Sequence, residues 1–313
     1  MSEATGAGSQ AAASTKTSLG IIFALLAVAC FSGMDVLVKW QSATYAVVQV
    51  IFFRSILAFV PLGIMATFNG GWEAVRPNNV WAHIWRSLIG LCAMSSVFAA
   101  FSLMKLADVV AIVFAAPVFA TALSVPILGE KVGPRRWFAV ALGFVGVLII
   151  IRPGTSAFDP TAVLALFGAA CIGITTVYVR KLTRTESNGS IIFSFTLTTT
   201  VASAALLPFF WKTPGSLDLV MLCAIGLLGG IAQMFQTGAA RNAEVATITP
   251  FKYTALLWAM FYGYLIWGEV PDGWTLMGAA IVGGSGLFIV LREAHLKPDR
   301  ANRIRRWTLW PRG

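Results

Sequence analysis

Charged residues are scarce in this sequence. Asp, Glu, Lys and Arg make up 12% of its 313 residues, about half their share in an average soluble protein. Hydrophobic residues make up 58%, and the mean hydropathy is +0.79. So few charges cannot cover a folded surface of this size with groups that water solvates. An ordinary soluble domain is therefore excluded, and most of the chain is expected to lie in lipid.

The sequence also has little cysteine and histidine, with four and two residues. His83 and His295 are expected near the ends of apolar runs, without metal-ligand spacing. The cysteines fall inside apolar runs, also without such spacing: Cys30, Cys92, Cys171 and Cys223. An intramembrane enzyme needs a cluster of such residues for a metal ion or a nucleophile. The sequence therefore predicts no enzyme, no cofactor and no metal site.

Acidic residues number 13 against 23 basic ones, which gives a net charge of +10. Such an excess can indicate nucleic-acid binding, but here much of it lies in a tail after the last apolar run: Arg292, Lys297, Arg300, Arg303, Arg305, Arg306 and Arg312. A basic segment beside a membrane is attracted to anionic lipid. Alternatively, this tail only fixes the orientation of the chain. We expect contact with membrane lipid and none with nucleic acid.

Long apolar runs are abundant. We find ten, most of them long enough to cross a hydrocarbon core of about 30 Å as a helix. Backbone amides at that depth have no water to bond, so runs of this length are stable there as α-helices. The predicted fold is an all-α membrane protein with ten transmembrane helices. They lie near Ser18–Val38, Thr44–Thr67, Ile84–Leu103, Val109–Leu128, Trp137–Ile151, Thr161–Val179, Ile191–Trp211, Leu217–Ala240, Val245–Trp267 and Trp274–Leu291.

Basic residues between these runs are unevenly distributed over the two sides of the membrane. The side of the N-terminus holds the basic tail together with Lys16, Arg76, Lys131, Arg135, Arg136, Arg180, Lys181, Arg184 and Arg241. The other side holds Lys39, Lys105, Arg152 and Lys212. Because Lys and Arg accumulate on the cytoplasmic side, the sequence predicts a multi-pass protein with both termini in the cytoplasm.

Two parts of the chain share one pattern. The matching segments are Ala107-Asp108-Val109 with Ala243-Glu244-Val245, Leu128-Gly129-Glu130 with Trp267-Gly268-Glu269, and Gly143/Gly146 with Gly283/Gly286. Five runs in each half is an odd number, so the second half enters the membrane from the opposite side. Inverted repeats of this kind bind substrate near the midplane between the halves.

This symmetry divides the chain into four parts. They are a polar N-terminal tail (1–17), a first five-helix repeat (18–152), a second and inverted five-helix repeat (161–292), and a basic cytoplasmic tail (293–313). The glycine pairs are expected to let the fifth helix of each repeat approach a neighbour closely. The equivalent acids Glu130 and Glu269 lie at span ends, where a carboxylate can reach water or cap an adjacent helix.

The segments Leu-Gly-Glu-Lys-Val at 128–132 and Gly-Phe-Val-Gly-Val-Leu-Ile-Ile-Ile-Arg-Pro at 143–153 resemble the EamA family of the drug/metabolite transporter superfamily. The resemblance extends from the first apolar run to the last. It implies a cavity lined by the first four helices of each repeat, and secondary transport in a bacterial inner membrane. Residues 52–55 and 250–259 are similar to a bacterial subgroup for which uptake of S-adenosylmethionine, riboflavin or other metabolites has been described.

Five ionisable residues fall at or near hydrocarbon depth: Asp35, Lys39, Arg54, Arg86 and Lys252. A charge that faces lipid at the helix centre costs at least about 2.5 to 3.5 kcal/mol, so these side chains should face the bundle interior, a partner or a water-filled cavity. Arg54 is expected to clamp two helices, with Asp35 as a candidate partner, or to contact a ligand. Arg86 is expected to snorkel to the membrane interface.

Lys252 is the main candidate for substrate contact because it lies near the middle of its run. Pro250, two residues before Lys252, cannot donate a backbone hydrogen bond and so interrupts the helix. Pro117 lies at comparable depth in the fourth run. Paired interruptions in equivalent helices of inverted repeats indicate a binding site. Above Lys252 on its helix face, small residues form a track, which we interpret as a cavity wall: Ala255, Ala259 and Gly263. The alternative is a fixed ion pair between Lys252 and Asp35.

The candidate substrate-binding residues are Lys252, Tyr253, Trp258, Gln49, Gln236 and Arg54. Asp35 and Lys252 are also candidates for ion coupling. The leading hypothesis is a secondary active transporter that moves a small anionic or zwitterionic metabolite by alternating access. One alternative is an importer of riboflavin or S-adenosylmethionine-like compounds; another is a flippase for lipid-linked substrates or an assembly subunit. The sequence leaves a homodimer open.

Overall fold

The structure, a computed structural model, describes residues 2–68, 71–129, 132–155, 159–183, 185–243 and 245–308. The helices of the first repeat are α1 (Ser2–Ser42), α2 (Val47–Phe68), a short 3-10 helix (Gly71–Ala74), α3 (Val80–Leu103), α4 (Leu106–Val113), α5 (Ala116–Leu128) and α6 (Pro134–Ile151). The helices of the second repeat are α7 (Ala162–Leu182), α8 (Asn188–Phe210), α9 (Ser216–Asn242), α10 (Val245–Lys252), α11 (Thr254–Trp267) and α12 (Gly273–Thr308).

These helices form ten membrane-spanning units within the described residues, as predicted. Eight spans are long and apolar enough to cross a membrane, including the continuous segment Leu106–Leu128 that combines α4 and α5. The last span is a shorter apolar segment, Gly273–Ile289, at the start of α12. The ninth consists of α10 and α11, which meet at Tyr253. The all-α membrane fold with ten spans is therefore confirmed.

Successive spans run in opposite directions because the connections between them are short. We call the side of the bundle that holds Thr17 and Phe68 the N side, and the side that holds Ser42 and Val47 the distal side. The outer surface between these sides is apolar: Leu257 is 65% exposed and Phe138 is 71% exposed. Side chains of this kind on the outside of a helix bundle are suited to lipid.

The two repeats interlock. Helix α1 of the first repeat packs against α9 of the second, and the equivalent pair, α7 of the second repeat and α3 of the first, also packs together. Equivalent helices also contact each other, α2 with α8, α6 with α12, and α4 with α11. This pairing is what a pseudo-two-fold axis in the membrane plane produces. In transporters built this way, the substrate site lies near the membrane midplane at the interface between the repeats.

Close contact between α6 and α12 depends on glycine. A Cβ atom at Gly146 would lie 2.9 Å from the carbonyl oxygen of Gly278, and one at Gly278 would lie 2.7 Å from that of Gly146. The expected close approach is thus confirmed for Gly146. In α12 the backbone contact is made by Gly278, whereas a Cβ at Gly283 would meet only the Tyr253 ring, at 3.5 Å. The cause is the antiparallel offset of the two helices, which sequence spacing alone does not fix.

Two parts of the sequence predictions fall outside this description. Glu130, the counterpart of Glu269, lies outside the described residues, as do the side chains of the basic tail after the last span. Their expected contacts with water and anionic lipid therefore stay predictions.

Candidate functional site

The fourth and ninth spans are broken at equivalent places. The helices α4 and α10 each have 8 residues, and in both spans a turn separates this first helix from the second. The two turns touch, because the rings of Phe114 and Tyr253 meet edge to face with centroids 4.9 Å apart. Pro117 lies at the start of α5, and Pro250 lies near the end of α10. The breaks thus face each other between the repeats.

A cavity of about 170 Å³ opens beside the break in the ninth span. It lies in the N-side half of the bundle, between α1, α9, α10 and α11. We call it the central cavity, and its polar lining consists of Ser32, Asp35, Gln236 and Lys252. The remaining lining is small or apolar, with Phe31 as its aromatic member. A few polar groups in an apolar pocket are typical of small-molecule sites.

Lys252 is exposed within this cavity. Among the described residues its ammonium group has no hydrogen bond or ion pair, and it is not paired with Asp35 across the cavity. An ammonium at this depth is stable only if water or a ligand reaches it. The central cavity provides that access.

The track of small residues above Lys252 has two parts. Ala255 lines the central cavity, but Ala259 is only 3% exposed. A Cβ atom at Gly263 would lie 3.4 Å from the carboxylate of Glu269. The cavity-wall interpretation was therefore wrong beyond Ala255, because α11 packs there against α1 and α4.

The other residues predicted to bind substrate are not gathered at the central cavity. Gln236 lines the central cavity. Gln49 is fully buried near the distal side, where its amide bonds both the backbone carbonyl and the backbone amide of Lys212 at 2.8 and 3.0 Å. Trp258 stacks on Tyr262 with centroids 5.6 Å apart, outside the described lining of the central cavity.

Tyr253 and Arg54 also point away from the central cavity. The hydroxyl group of Tyr253 is buried without a hydrogen-bond partner and packs so closely on α12 that a Cβ at Gly286 would lie 2.4 Å from it. Arg54 lines a second, smaller cavity between α2, α8 and α9. It forms no ion pair with Asp35 within the described residues, although the two charges interact electrostatically.

An ion pair closes the bundle on the distal side. The ammonium group of Lys39 lies 2.6 Å from Oε1 of Glu269 and donates to the carbonyl oxygen of Met104, also at 2.6 Å. The second oxygen of Glu269 accepts a hydrogen bond from the backbone amide of Leu106 at 2.9 Å. We call these residues the distal gate. The expectation that Glu269 caps an adjacent helix is confirmed, since Leu106 is the first residue of α4.

Above the distal gate, a vestibule of about 580 Å³ opens to the distal side. It is lined by Lys39, Trp40, Lys105 and Trp267, among others. The helices α1 and α11 line both this vestibule and the central cavity. The two openings therefore lie at different depths along the same two helices, and Lys39 and Glu269 of the distal gate line the vestibule.

A second cross-repeat contact lies on the N side. Glu186, in the connection between α7 and α8, accepts the backbone amides of Asn78 and Asn79 at 3.0 and 2.9 Å, and its carboxylate lies 3.3 Å from Nε2 of His83. We call these residues the N-side latch. Burial acts to raise the pKa of Glu186, but the two amide hydrogen bonds and the imidazole outweigh it and hold that pKa below its ordinary value of 4.5.

The family of the protein follows from a sequence comparison. The family model described as "EamA-like transporter family" matches residues 18–152 and 160–291, which together cover most of the chain. The chain belongs to this family. Since family members are membrane transporters, the paired breaks, the cavity and the distal gate belong to a transporter.

Several curated relatives within the EamA-like family are transporters of known cargo. The S-adenosylmethionine uptake transporter of Rickettsia prowazekii is 26% identical, over 88% of this chain and 93% of its own length. The riboflavin transporter of Rhizobium johnstonii is 27% identical, over 89% and 93%. The pseudopaline exporter CntI of Pseudomonas aeruginosa is 27% identical, over 84% and 93%. The family therefore includes both uptake and export.

A solved crystal structure has the same fold. It matches this chain with a TM-score of 0.58 and 20% identity, over 89% of this chain and 99% of its own length. At this identity the match establishes the fold of this EamA-like transporter and nothing further.

Sequence reasoning missed the two cross-repeat contacts. Lys39 and Glu269 are 230 positions apart, and no local pattern pairs residues at that distance. The repeated Gly-Glu motif did single out Glu269, and the position of Lys39 near hydrocarbon depth singled out that lysine. Glu186 gave no comparable signal, since an acid in a polar connection between two spans is ordinarily solvated.

Proposed function

We propose that this EamA-like transporter is a secondary active transporter of small metabolites that carry a carboxylate, with a preference for zwitterions. The observation that supports this proposal is the placement of Lys252 in the central cavity without a protein partner, opposite the acid Asp35. In the proposed complex the substrate carboxylate binds the ammonium group of Lys252. Hydrogen bonds between charged groups are the strong ones in a site of low polarity.

The preference for zwitterions follows from the second charged group in the central cavity, the carboxylate of Asp35. Asp35 lines the same cavity as Lys252, so a substrate that carries only negative charge meets a carboxylate as well as an ammonium group. A substrate with a carboxylate and an amino group satisfies both. The cavity volume of about 170 Å³ is below the roughly 300 Å³ at which drug-sized sites begin, which favours a small substrate over a flavin.

Alternating access is the proposed mechanism. The central cavity lies in the N-side half, while the distal gate pairs Lys39 with Glu269 beside the distal vestibule. Rupture of the distal gate with closure of the central cavity on the N side would carry a bound substrate across. In the proposed orientation the N side faces the cytoplasm of a bacterial cell, with both termini there, because most basic residues lie on that side.

The experiment is transport by the purified protein in liposomes, measured in both directions because the relatives include uptake transporters and an exporter. The substrates are amino acids, each paired with the carboxylate that lacks the amino group. The wild type should prefer the amino acids. Lys252→Met should lower transport of both classes about tenfold or more, since a charge-assisted hydrogen bond contributes about 1.5 to 3 kcal/mol.

Asp35→Asn should reduce the preference for the amino acid over its partner carboxylate. The matched control is Lys181→Met, which removes an exposed lysine in the last turn of α7 that lines neither opening. Unchanged transport in Lys252→Met would contradict the proposal. Transport of a lipid-linked compound, with none of the water-soluble panel, would support a flippase instead.

A further inference from the structure

Positive charge exceeds negative charge in the middle and N-side half of the bundle. Away from the span ends, the cations of this half are Arg54, Arg86 and Lys252, and Asp35 is the acid that the described residues place there. Glu186 lies in an N-side connection and is held by the N-side latch. Lys252 has access to the central cavity, but the two arginines do not line it. A cation inside a membrane protein needs a partner or water. The question is what neutralises Arg54 and Arg86.

The two arginines meet at one aromatic ring. The guanidinium carbon of Arg86 lies 4.7 Å from the centroid of Phe195, and that of Arg54 lies 5.7 Å from it. A Cβ atom at Gly90, one turn beyond Arg86 in α3, would lie 2.8 Å from the Phe195 ring. Glycine is therefore required for the ring to lie there. Arg86 turns into the bundle, so the expectation that it snorkels to the interface was wrong.

Within the part of the chain that the structure describes, neither arginine has a carboxylate partner or a full set of hydrogen-bond acceptors. Arg54 is 8% exposed, and its Nε is buried without a hydrogen-bond partner, as are Nε and Nη1 of Arg86. No carboxylate among the described residues forms an ion pair with either guanidinium. A cation over an aromatic ring is only weakly stabilised, which does not offset the desolvation of two charges. The two also repel each other.

A small cavity lies at Arg54. Its volume is about 20 Å³, enough for a single species of about the size of a water molecule. Phe195 lines it together with Arg54, and Thr196 and Gln233 add a hydroxyl and an amide group. We call it the arginine cavity. A cavity of this volume suits a monatomic ion better than sulfate, phosphate or an organic substrate, and water would supply no counter-charge to the two guanidinium groups.

We propose that the arginine cavity binds a chloride ion, held by Arg54 with the amide of Gln233 and the charge of Arg86. A monatomic anion matches both the volume and the positive charge of the site. The site is separate from the central cavity, because the two cavities have no lining residue in common. Arg54 also interacts electrostatically with Asp35, so the bound anion sets the charge balance next to the central cavity.

The test measures binding without transport, so its failure would leave the proposed function untouched. Purified protein in detergent is heated in sodium gluconate that is replaced stepwise by sodium chloride or bromide at constant ionic strength. A ligand that binds the folded state raises the unfolding temperature in a concentration-dependent way. Chloride and bromide should do so, and sulfate at matched ionic strength should not. A rise of equal size with sulfate would overturn the proposal.

Variants locate the site. Arg86→Gln and Gln233→Leu should each weaken the apparent chloride affinity about tenfold, by loss of charge or of one donor. The matched control is Lys252→Met, which removes a cation of the central cavity and should keep the wild-type response. Loss of the response in Lys252→Met alone would overturn the proposal by placing the ion in the central cavity. If Arg86→Gln fails to fold, the proposal is decided by the chloride response of Gln233→Leu and by whether bound bromide gives an anomalous diffraction signal beside Arg54.

Discussion

At the scale of single residues, the positions of charges could be predicted better than their partners. Lys252 and Asp35 stand out in the sequence because a charge is rare in an apolar run. The sequence could not decide between a fixed pair and a cavity, because that depends on how α1 and α10 are placed. In the structure both side chains line the central cavity without pairing.

Glu186 carries a prediction at this scale. Its carboxylate is buried and accepts two backbone amides from the connection before α3. Glu186→Gln keeps the shape of the side chain but removes the charge, and should destabilise the folded protein at pH 7 by about 1 to 3 kcal/mol. The measurement is the unfolding temperature in detergent.

The loss of stability in Glu186→Gln should depend on pH. The pKa of Glu186 is lower in the folded protein than its ordinary value of 4.5, so the charged form contributes stability above that value. This contribution disappears as the pH falls through the lower, folded-state pKa. The difference between wild type and Glu186→Gln should therefore be full at pH 7 and vanish well below pH 4.5. A difference that grows on acidification would contradict this account of the N-side latch.

At the scale of helices, proline gave the place of the breaks to within a few residues. The turn in the fourth span is at Phe114, just before Pro117, and that in the ninth is at Tyr253, just after Pro250. A proline removes one helix hydrogen bond and clashes with the preceding turn. It therefore predicts the region in which a helix breaks, but not the residue at which it breaks. The contact between Phe114 and Tyr253 depends on the packing of the repeats.

The contact between α6 and α12 predicts a size limit at Gly146. Gly146→Ala places a methyl group 2.8 Å from Val282 and 2.9 Å from a backbone oxygen, so the helices must move apart. We expect a loss of about 1 to 3 kcal/mol in stability, typical of overpacking. The unfolding temperature in detergent measures this loss.

Gly284→Ala is the matched control for Gly146→Ala. A Cβ atom at Gly284 has no atom of another residue within 4 Å, and alanine favours a helix over glycine by about 1 kcal/mol. This variant should be as stable as the wild type or slightly more so. If both variants behave alike, close approach of α6 and α12 is not what Gly146 provides.

At the scale of the whole molecule, the arrangement of the two openings predicts a sidedness that chemical labelling can measure. Ala255→Cys, in a background without the four native cysteines, places a thiol in the central cavity. A water-soluble thiol reagent should reach it from the N side. Glu269→Gln removes the charge that holds Lys39, and should increase labelling from the distal side about tenfold, as the gate-open population rises.

Leu257→Cys serves as the control, because Leu257 is 65% exposed on the apolar outer surface and should be labelled from neither side. The same experiment in intact cells tests the proposed orientation, in which the N side is cytoplasmic. Distal labelling of Ala255→Cys that is equal with and without Glu269→Gln would show that Lys39 and Glu269 do not close the path.

The sequence by itself determined that most of the chain lies in lipid, how many spans it has, and that these spans form an inverted repeat. Apolar runs of this length must be helices in lipid, because backbone amides there find partners only within their own segment. Five runs per repeat make the second copy inverted, whatever its packing. These features depend on local composition and on counting, which need no knowledge of contacts.

Only the tertiary structure decided which charges meet. Lys39 pairs with Glu269 on the distal side, and Glu186 holds the connection before α3 on the N side. Arg54 and Arg86 share Phe195 and form no ion pair with an acid among the described residues, while Lys252 stays open to the central cavity. The strength and sign of an electrostatic interaction depend on distance and burial, and for residues on different helices both are fixed by packing between the repeats.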